Sequence, residues 1–494
     1  MKTWAKETVP SAFCEFHTLR AAREACRLQS RQAMVILDGN VLVMCVPTAV
    51  TDFAGYARVV GGFVRAALEA ADHVVCVWDE PALVTRAKLD EQRRRDMQRR
   101  RHTPTMSSDL EESQAPQSDT YGQDVVERCN PHILMRCREA RQRFYDALCK
   151  RVMAECVAAS TFHGKTLTFD GIDDRGADRP FGEARAPGMF SSSDRVQFLL
   201  ERSGEDSRVG EGDTKITDLE VEVQQLRNAG VFFQDVEVVL ISTIDTDSIA
   251  IELMHQAAKN EAVRAEREGL NDTDESARGL KSLLCFRELR KDSEASRAVY
   301  SCIDMELFEL GVMRRVFGNR HVENAHLRPH ACALLVAGWT LCGCDFLELK
   351  GMRSDVVFTA VCDIAQRCTR SLNTMEYVFA LNRHSDTETL LEARREVSTL
   401  LRRMVCRSVD ALEKLPRMAQ AANKAREFDD NDLAKAAWVV TYWTGFELKD
   451  LDQWGFGEPL GVAKRARVCA DPTCADPVCD AETDGTRPVK RMAT

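Results

Sequence analysis

Three short apolar, β-branched runs that each end in aspartate constrain the fold of this chain more than any other feature. They are "AMVILDG" (Ala33 to Gly39), "HVVCVWD" (His73 to Asp79) and "DVEVVLIST" (Asp235 to Thr243), the last leading into "IDTD". A run with no polar alternation is what a strand buried on both faces requires, and such strands belong to parallel sheets. Between the first two lies "FAGYARVVGGFVRAALEAA", with helical spacing of its apolar positions. Before the third, Ile216, Leu219, Val223 and Leu226 fall on one helical face, and Gly230 is placed to cap that helix. Strand and helix in alternation predict an α/β fold, with a mostly parallel central sheet flanked by helices.

The 494 residues suffice for a large core or several domains. Hydrophobic and charged fractions of 44% and 29% are those of a water-soluble globular protein. The first residues carry no secretory signal pattern, and the longest apolar run, Ala331 to Leu347, falls short of the ~20 residues a membrane span needs. A cytosolic or nuclear chain with no membrane partner is therefore expected. Most of the 19 cysteines sit in apolar segments and read as buried small hydrophobes. The exception is "CADPTCADPVCD", where Cys469, Cys474 and Cys479 are too widely spaced for a zinc knuckle, so a disordered tail is expected.

Asp38, Asp79, Asp245 and Asp247 follow the three strands directly. Ligands of open α/β sheets bind beyond the carboxyl ends of the strands. Acids gathered there repel one another unless a cation lies among them. "VGEGDTKI" adds Glu211 and Asp213 at the start of the helix before the third strand, and "LCGCDF" adds Asp345 after an apolar run. One such aspartate alone is ordinarily a helix cap. Asp38, Asp79, Glu211, Asp213, Asp245, Asp247 and Asp345 together predict a site for Mg2+ or Mn2+, with room for two ions clamping a phosphoryl displacement.

A basic run begins just past Asp79, comprising Arg86, Lys88, Arg93, Arg94, Arg95, Arg99, Arg100 and Arg101, in a chain of formal net charge −10. Cations concentrated beside carboxylates suit the entry of a polyanion. Lys88, Gln92 and Arg95 share one face if the segment is helical, which makes a phosphate pocket. A solvated basic helix or a nuclear-import signal is the plainer reading.

The order of acids resembles the metal site of the 5′-nuclease (PIN-like) superfamily, which includes flap endonucleases, XPG-type nucleases and the XRN 5′→3′ exoribonucleases. "RAKLDEQRRR", "CNPHILMRCREARQRF", "GEGDTKI", "CGCDF" and "AAWVVTYWTG" are similar to XRN segments. The resemblance implies a metal-dependent 5′→3′ exonuclease acting on single-stranded RNA with a 5′-monophosphate, which Lys88, Gln92 and Arg95 would hold. Departures stand at Met44, where the family has a histidine, at Asp96, where it has an arginine, and at Asp213, where it has a glutamate. A flap-endonuclease-like enzyme on branched DNA is the alternative, but "FLELKGMRSDVVF" offers only Gly351 for the expected hairpin. A catalytically inactive nucleic-acid-binding relative ranks third.

Composition shifts divide the chain. Residues 1–102 form the first part of the nuclease core with its basic helix, and 103–124 a linker. Residues 125–258 continue the core with a surface insertion at 163–194, and 259–297 form a charged insertion. The core ends over 298–365, a helical part spans 366–458, and 459–494 is a tail with short basic clusters.

Overall fold

A computed structural model describes residues 2–26, 32–79, 126, 128, 130–134, 138–173, 188–200, 212–255, 280–291, 296–318, 327–344, 351–367, 378, 387–415 and 418–443. The strands are β1 (Phe13–Phe16), β2 (Gln32–Asp38), β3 (His73–Val77), β4 (Thr166–Ile172), β5 (Gly188–Ser191), β6 (Val236–Thr243), β7 (Lys281–Lys291) and β8 (Ser296–Asp304). They form one mixed sheet in the order β1-β8-β7-β6-β2-β3-β4-β5. The centre, β7-β6-β2-β3-β4, is parallel, and β5, β8 and β1 add antiparallel margins. The α/β expectation is met by this architecture.

From β2 the chain crosses through helix Phe53–Ala70 to β3 on one side, while β6 lies on the other. The boundary between β2 and β6 is thus a topological switch point, where diverging crossovers open a crevice at the carboxyl ends. Side chains alternate between two cores. Met34, Ile36, Val75, Val77, Val239 and Ile241 face one, against helices Gly212–Asn228, Met305–Phe317 and the C-terminal helices. Val35, Leu37, Val74, Cys76, Val238 and Leu240 face the other, against Phe53–Ala70 and Arg138–Val157. Each buried Val or Leu contributes about 1.5–3 kcal/mol against exposure. This two-sided burial is why the three strands read as continuous apolar runs.

Local signals set the helix limits. Asp52 caps Phe53–Ala70 by accepting from Gly55 N at 2.7 Å. Asp429 and Asp432 form a reciprocal capping box on helix Asp430–Tyr442. Gly230, at φ 66°, ends the turn after Gly212–Asn228, and its N–H donates to Arg227 O at 3.0 Å. Toward the carboxyl end the described chain forms helices Ser354–Arg367, Thr387–Glu413, Ala419–Ala425 and Asp430–Tyr442. Among the described residues, no helix is long and apolar enough to cross a membrane.

Two boundaries need correction. The supposed surface insertion at 163–194 contains β4 and β5, and β4 is a parallel strand whose residues from Leu167 onward are buried. Gly171 and Asp170 made it look like a loop, yet Gly171 is there for a close approach and Asp170 has a buried cation beside it. The charged insertion at 259–297 likewise runs into β7 and the start of β8, whose antiparallel pairing carries Arg and Lys at its far end and apolar residues near the core. The linker at 103–124 and the tail at 459–494, with Cys469, Cys474 and Cys479, lie outside the described residues.

Candidate functional site

Asp38 closes β2 at the switch point and is 6% exposed. Its Oδ1 accepts from Asn40 N at 3.0 Å and Val41 N at 3.3 Å, capping helix Gly39–Met44. Its Oδ2 accepts from the Thr243 hydroxyl at 3.5 Å, at the end of the neighbouring strand β6. The same hydroxyl oxygen accepts from Asp245 N at 3.0 Å. One threonine therefore ties the first predicted acid to the DxD pair.

Within that pair, Asp245 Oδ1 accepts from Asp247 N at 2.9 Å, an Asx turn that fixes the Asp245 carboxylate against the Asp247 backbone. Asp247 is buried, and its carbonyl accepts from Ala250 N and Ile251 N, so the turn leads straight into a helix. Ser248 then donates from Oγ to Asp213 Oδ1 at 3.2 Å, in the first turn of Gly212–Asn228. Gly212 N, at the mouth of that helix, donates to Asp79 Oδ1 at 2.7 Å. A carboxylate against a helix N-terminus is also favoured by the helix dipole. A Cβ on Gly212 would lie 3.3 Å from Asp79 Oδ1 and 3.8 Å from Asn40 Nδ2, so Asn40 faces the same crevice.

Asp38, Asp79, Asp213, Asp245 and Asp247 are thus linked, through hydrogen bonds of their own or of the residue next in the chain, across the carboxyl ends of β2, β3 and β6. Glu211 and Asp345, and the phosphate-pocket residues Lys88, Gln92 and Arg95 with Asp96, lie outside the described residues. Met44 is described, 64% exposed at the end of its helix. Hard carboxylate oxygens are the donor set magnesium prefers. Among the described residues, however, no group of three or more His, Cys, Asp or Glu side chains is arranged to hold a metal ion.

Several residues of this edge were not singled out from the sequence. Lys215 is fully buried and its Nζ donates to Trp78 O at 3.1 Å and lies 3.4 Å from Asp170 Oδ2. Asp170 sits on β4 in the same row as Val77 and Asp38. Gly171, at φ 80°, passes so close that a Cβ would stand 2.6 Å from Trp78 O and 2.8 Å from Lys215 Nζ. Glycine is required there by both conformation and space. Gly39 has a similar reason, because a Cβ would fall 2.4 Å from the Trp78 ring. Tyr145 stacks at a tilt on Trp78, 4.5 Å between centroids. Burial pushes its phenol pKa up, Arg141 draws it down, and the charges of Asp79 and Asp38 push it up further. The one available signal was Lys215 itself, a lysine between apolar positions on the buried face of an amphipathic helix.

Fold and site together define an α/β protein with a linked set of aspartates at a topological switch point. No family model matches the chain, and no curated protein matches it in sequence.

Proposed function

We propose that this chain is a divalent-metal-dependent 5′→3′ exonuclease of the XRN kind, hydrolysing phosphodiester bonds of single-stranded, 5′-monophosphorylated RNA in the cytosol or nucleus. The observation that carries the reading is the hydrogen-bonded convergence of Asp38, Asp79, Asp213, Asp245 and Asp247 from four separate segments. Capping of helix ends accounts for hydrogen bonds of Asp38, Asp79 and Asp245 taken singly, but it does not explain why carboxylates from four segments arrive at the same crevice.

In this reading Asp38, Asp79, Glu211, Asp213, Asp245, Asp247 and Asp345 hold one or two Mg2+ or Mn2+ ions. Such ions supply charge neutralisation at the phosphate and lower the pKa of a bound water. The protein's own part is positioning. Thr243 and Ser248 orient Asp38 and Asp213 through their hydroxyls. Lys215 fixes the ends of β3 and β4 by holding the Trp78 carbonyl and Asp170. Tyr145, its pKa raised, keeps its Oη protonated and adds no negative charge beside Asp79 and Asp38. Lys88, Gln92 and Arg95 would grip the terminal 5′-phosphate by charge and hydrogen bonding.

The test compares 5′-phosphorylated RNA, the same RNA with a 5′-hydroxyl, and a DNA flap, each with Mg2+, for wild type and an Asp245→Ala/Asp247→Ala double variant. Loss of the phosphorylated RNA only, at least about 100-fold slower in the variant, is the expected result; that factor corresponds to roughly 2.7 kcal/mol of barrier. Cleavage at the flap branch would replace the RNA assignment with a flap-endonuclease-like one. Equal inertness of wild type and variant on all three substrates would overturn the catalytic reading and leave nucleic-acid binding.

A further inference from the structure

One margin of the sheet brings cysteines from three strands into a single row. β1 pairs Cys14 with Cys302 of β8, and β8 pairs Cys302 with Cys285 of β7. Directly opposed residues of antiparallel strands point to the same face, with Cα atoms about 4.5–5.5 Å apart. That spacing lies within the range a disulfide spans, about 4.4–6.8 Å. The Cys302 and Cys285 sulfurs are already 3.1 Å apart, both thiols are free, and both are buried. Cys14, at the outer end of the row on an edge strand, is exposed.

The combination is unusual for cysteines that only fill space. Two hydrophobic thiols packed side by side need no third thiol in register leading to solvent. We propose that Cys285 and Cys302 form a reversible disulfide, and that Cys14 is the thiol through which it is made. The Cys14 thiolate attacks a low-molecular-weight disulfide of the glutathione type, giving a mixed disulfide and releasing one thiol. Cys302 then attacks the Cys14 sulfur and releases the second small thiol. Cys285 attacks the Cys302 sulfur, forms the Cys285–Cys302 bond and returns Cys14 as a thiol. Two protein thiols are oxidised and one small disulfide is reduced to two thiols, so atoms and electrons balance.

Relay through Cys14 answers an otherwise awkward point. Exchange with a small disulfide needs a thiolate and access, and Cys285 is buried, with its hydrogen bond to Cys302, then burial, raising its pKa well above that of a free thiol. It therefore enters only at the last, intramolecular step, where its proton passes to the departing Cys14 sulfur. Burial likewise raises Cys26, which lies within electrostatic range of Cys302 and Cys14 and is the competing partner. The bridge would staple β7 to β8. Cys285 is also in register with Ser242 of β6, next to the Thr243 that holds Asp38, so the staple would abut the strand carrying the acidic site.

The proposal is tested on the full chain with oxidised glutathione, followed by alkylation of remaining thiols, trypsin and mass spectrometry. The expected product is the peptide Ser282–Arg287 bridged to Ala298–Arg314. It should form at least about 10-fold more slowly in Cys14→Ser, while Cys302→Ala should accumulate glutathione on Cys14. Dithiothreitol should remove the bridge. Absence of the bridged peptide while Cys14 carries glutathione would overturn the pair, as would a Cys14–Cys26 bridge in its place. Bridge formation at the wild-type rate in Cys14→Ser would overturn the relay.

Discussion

In the helices from Ser354 to Tyr442 the described interior is almost wholly apolar. Val357, Val361, Val397, Leu401, Val405, Leu433 and Trp438 are buried, accompanied only by Arg394, Ser408 and Thr441 among polar residues. The strand ends around β2, β3 and β6 are built in the opposite way. Asp38, Asp170, Lys215 and Asp247 are all withdrawn from water there, within one sheet edge. Burying a charge costs free energy that pairing only partly offsets, and an apolar replacement of a buried ion pair is often no less stable. The helical part is therefore organised for stability. The acidic edge concentrates buried charged groups instead, and it is there that we propose the working site lies.

The contrast is open to direct attack. The largest effect is expected in the apolar part. Trp438 is buried and stacks on Tyr442 at 4.9 Å with rings 10° apart, so Trp438→Ala should lower stability by about 3–5 kcal/mol in urea unfolding. Divalent-metal dependence of any activity should be unchanged by it. If metal dependence moved as well, the two regions would not be separable.

Lys215 sharpens the comparison from the other side. Lys215→Met leaves Asp170 buried beside an apolar side chain and should cost about 3 kcal/mol. Adding Asp170→Leu removes the carboxylate that Lys215 faces at 3.4 Å, so the double variant should regain at least half of that loss. A double variant as unstable as the sum of two separate losses would mean that Lys215 and Asp170 are not energetically coupled, and the pair would not be what holds the ends of β3 and β4. Circular-dichroism melts of the three variants decide the matter.

The smallest effect comes from the amino end of β3, opposite the acidic edge. His73 is buried between Thr166 Oγ1 at 2.9 Å and Gln32 Oε1 at 3.0 Å, with the Phe233 ring 4.9 Å away. The glutamine carbonyl accepts, so Nε2 carries the proton and Nδ1 accepts from the threonine hydroxyl. Burial lowers its pKa below the ordinary 6.5, outweighing the raising effect of Asp72. Below about pH 6.5 the unfolded chain then binds more protons than the folded one, and stability falls as pH falls. That loss should be measurable between about pH 7.5 and 5.5, and flatter in His73→Gln. An identical slope in the variant would assign the acid sensitivity to other groups.

How much of this could be read from the chain depended on whether the signal was local. β2, β3 and β6 were legible because each is buried on both faces, and Asp38, Asp79, Asp245 and Asp247 stood out by ending those runs. β4 was not legible, since "TLTFDGI" makes sense as a buried strand only when Lys215, far along the chain, is there to face Asp170. The same holds for Thr243 and Ser248, ordinary residues locally, whose hydroxyls matter only because the topology brings Asp38 and Asp213 within reach. β7 and β8 were obscured by the charged residues at their far ends. Single-residue spacing carries helices and central strands well; it carries almost nothing about which distant polar groups will meet.

The central claim is that the linked aspartates form a divalent-cation site, and Mn2+ binding tests it most directly without any choice of substrate. Titration of the full chain with Mn2+, followed by calorimetry or electron paramagnetic resonance, should show one or two bound ions in wild type and in Trp438→Ala. Affinity should fall at least about 10-fold in Asp245→Ala/Asp247→Ala, about 1.4 kcal/mol. Mn2+ bound equally well by the double variant, or not bound by wild type at all, would contradict the account.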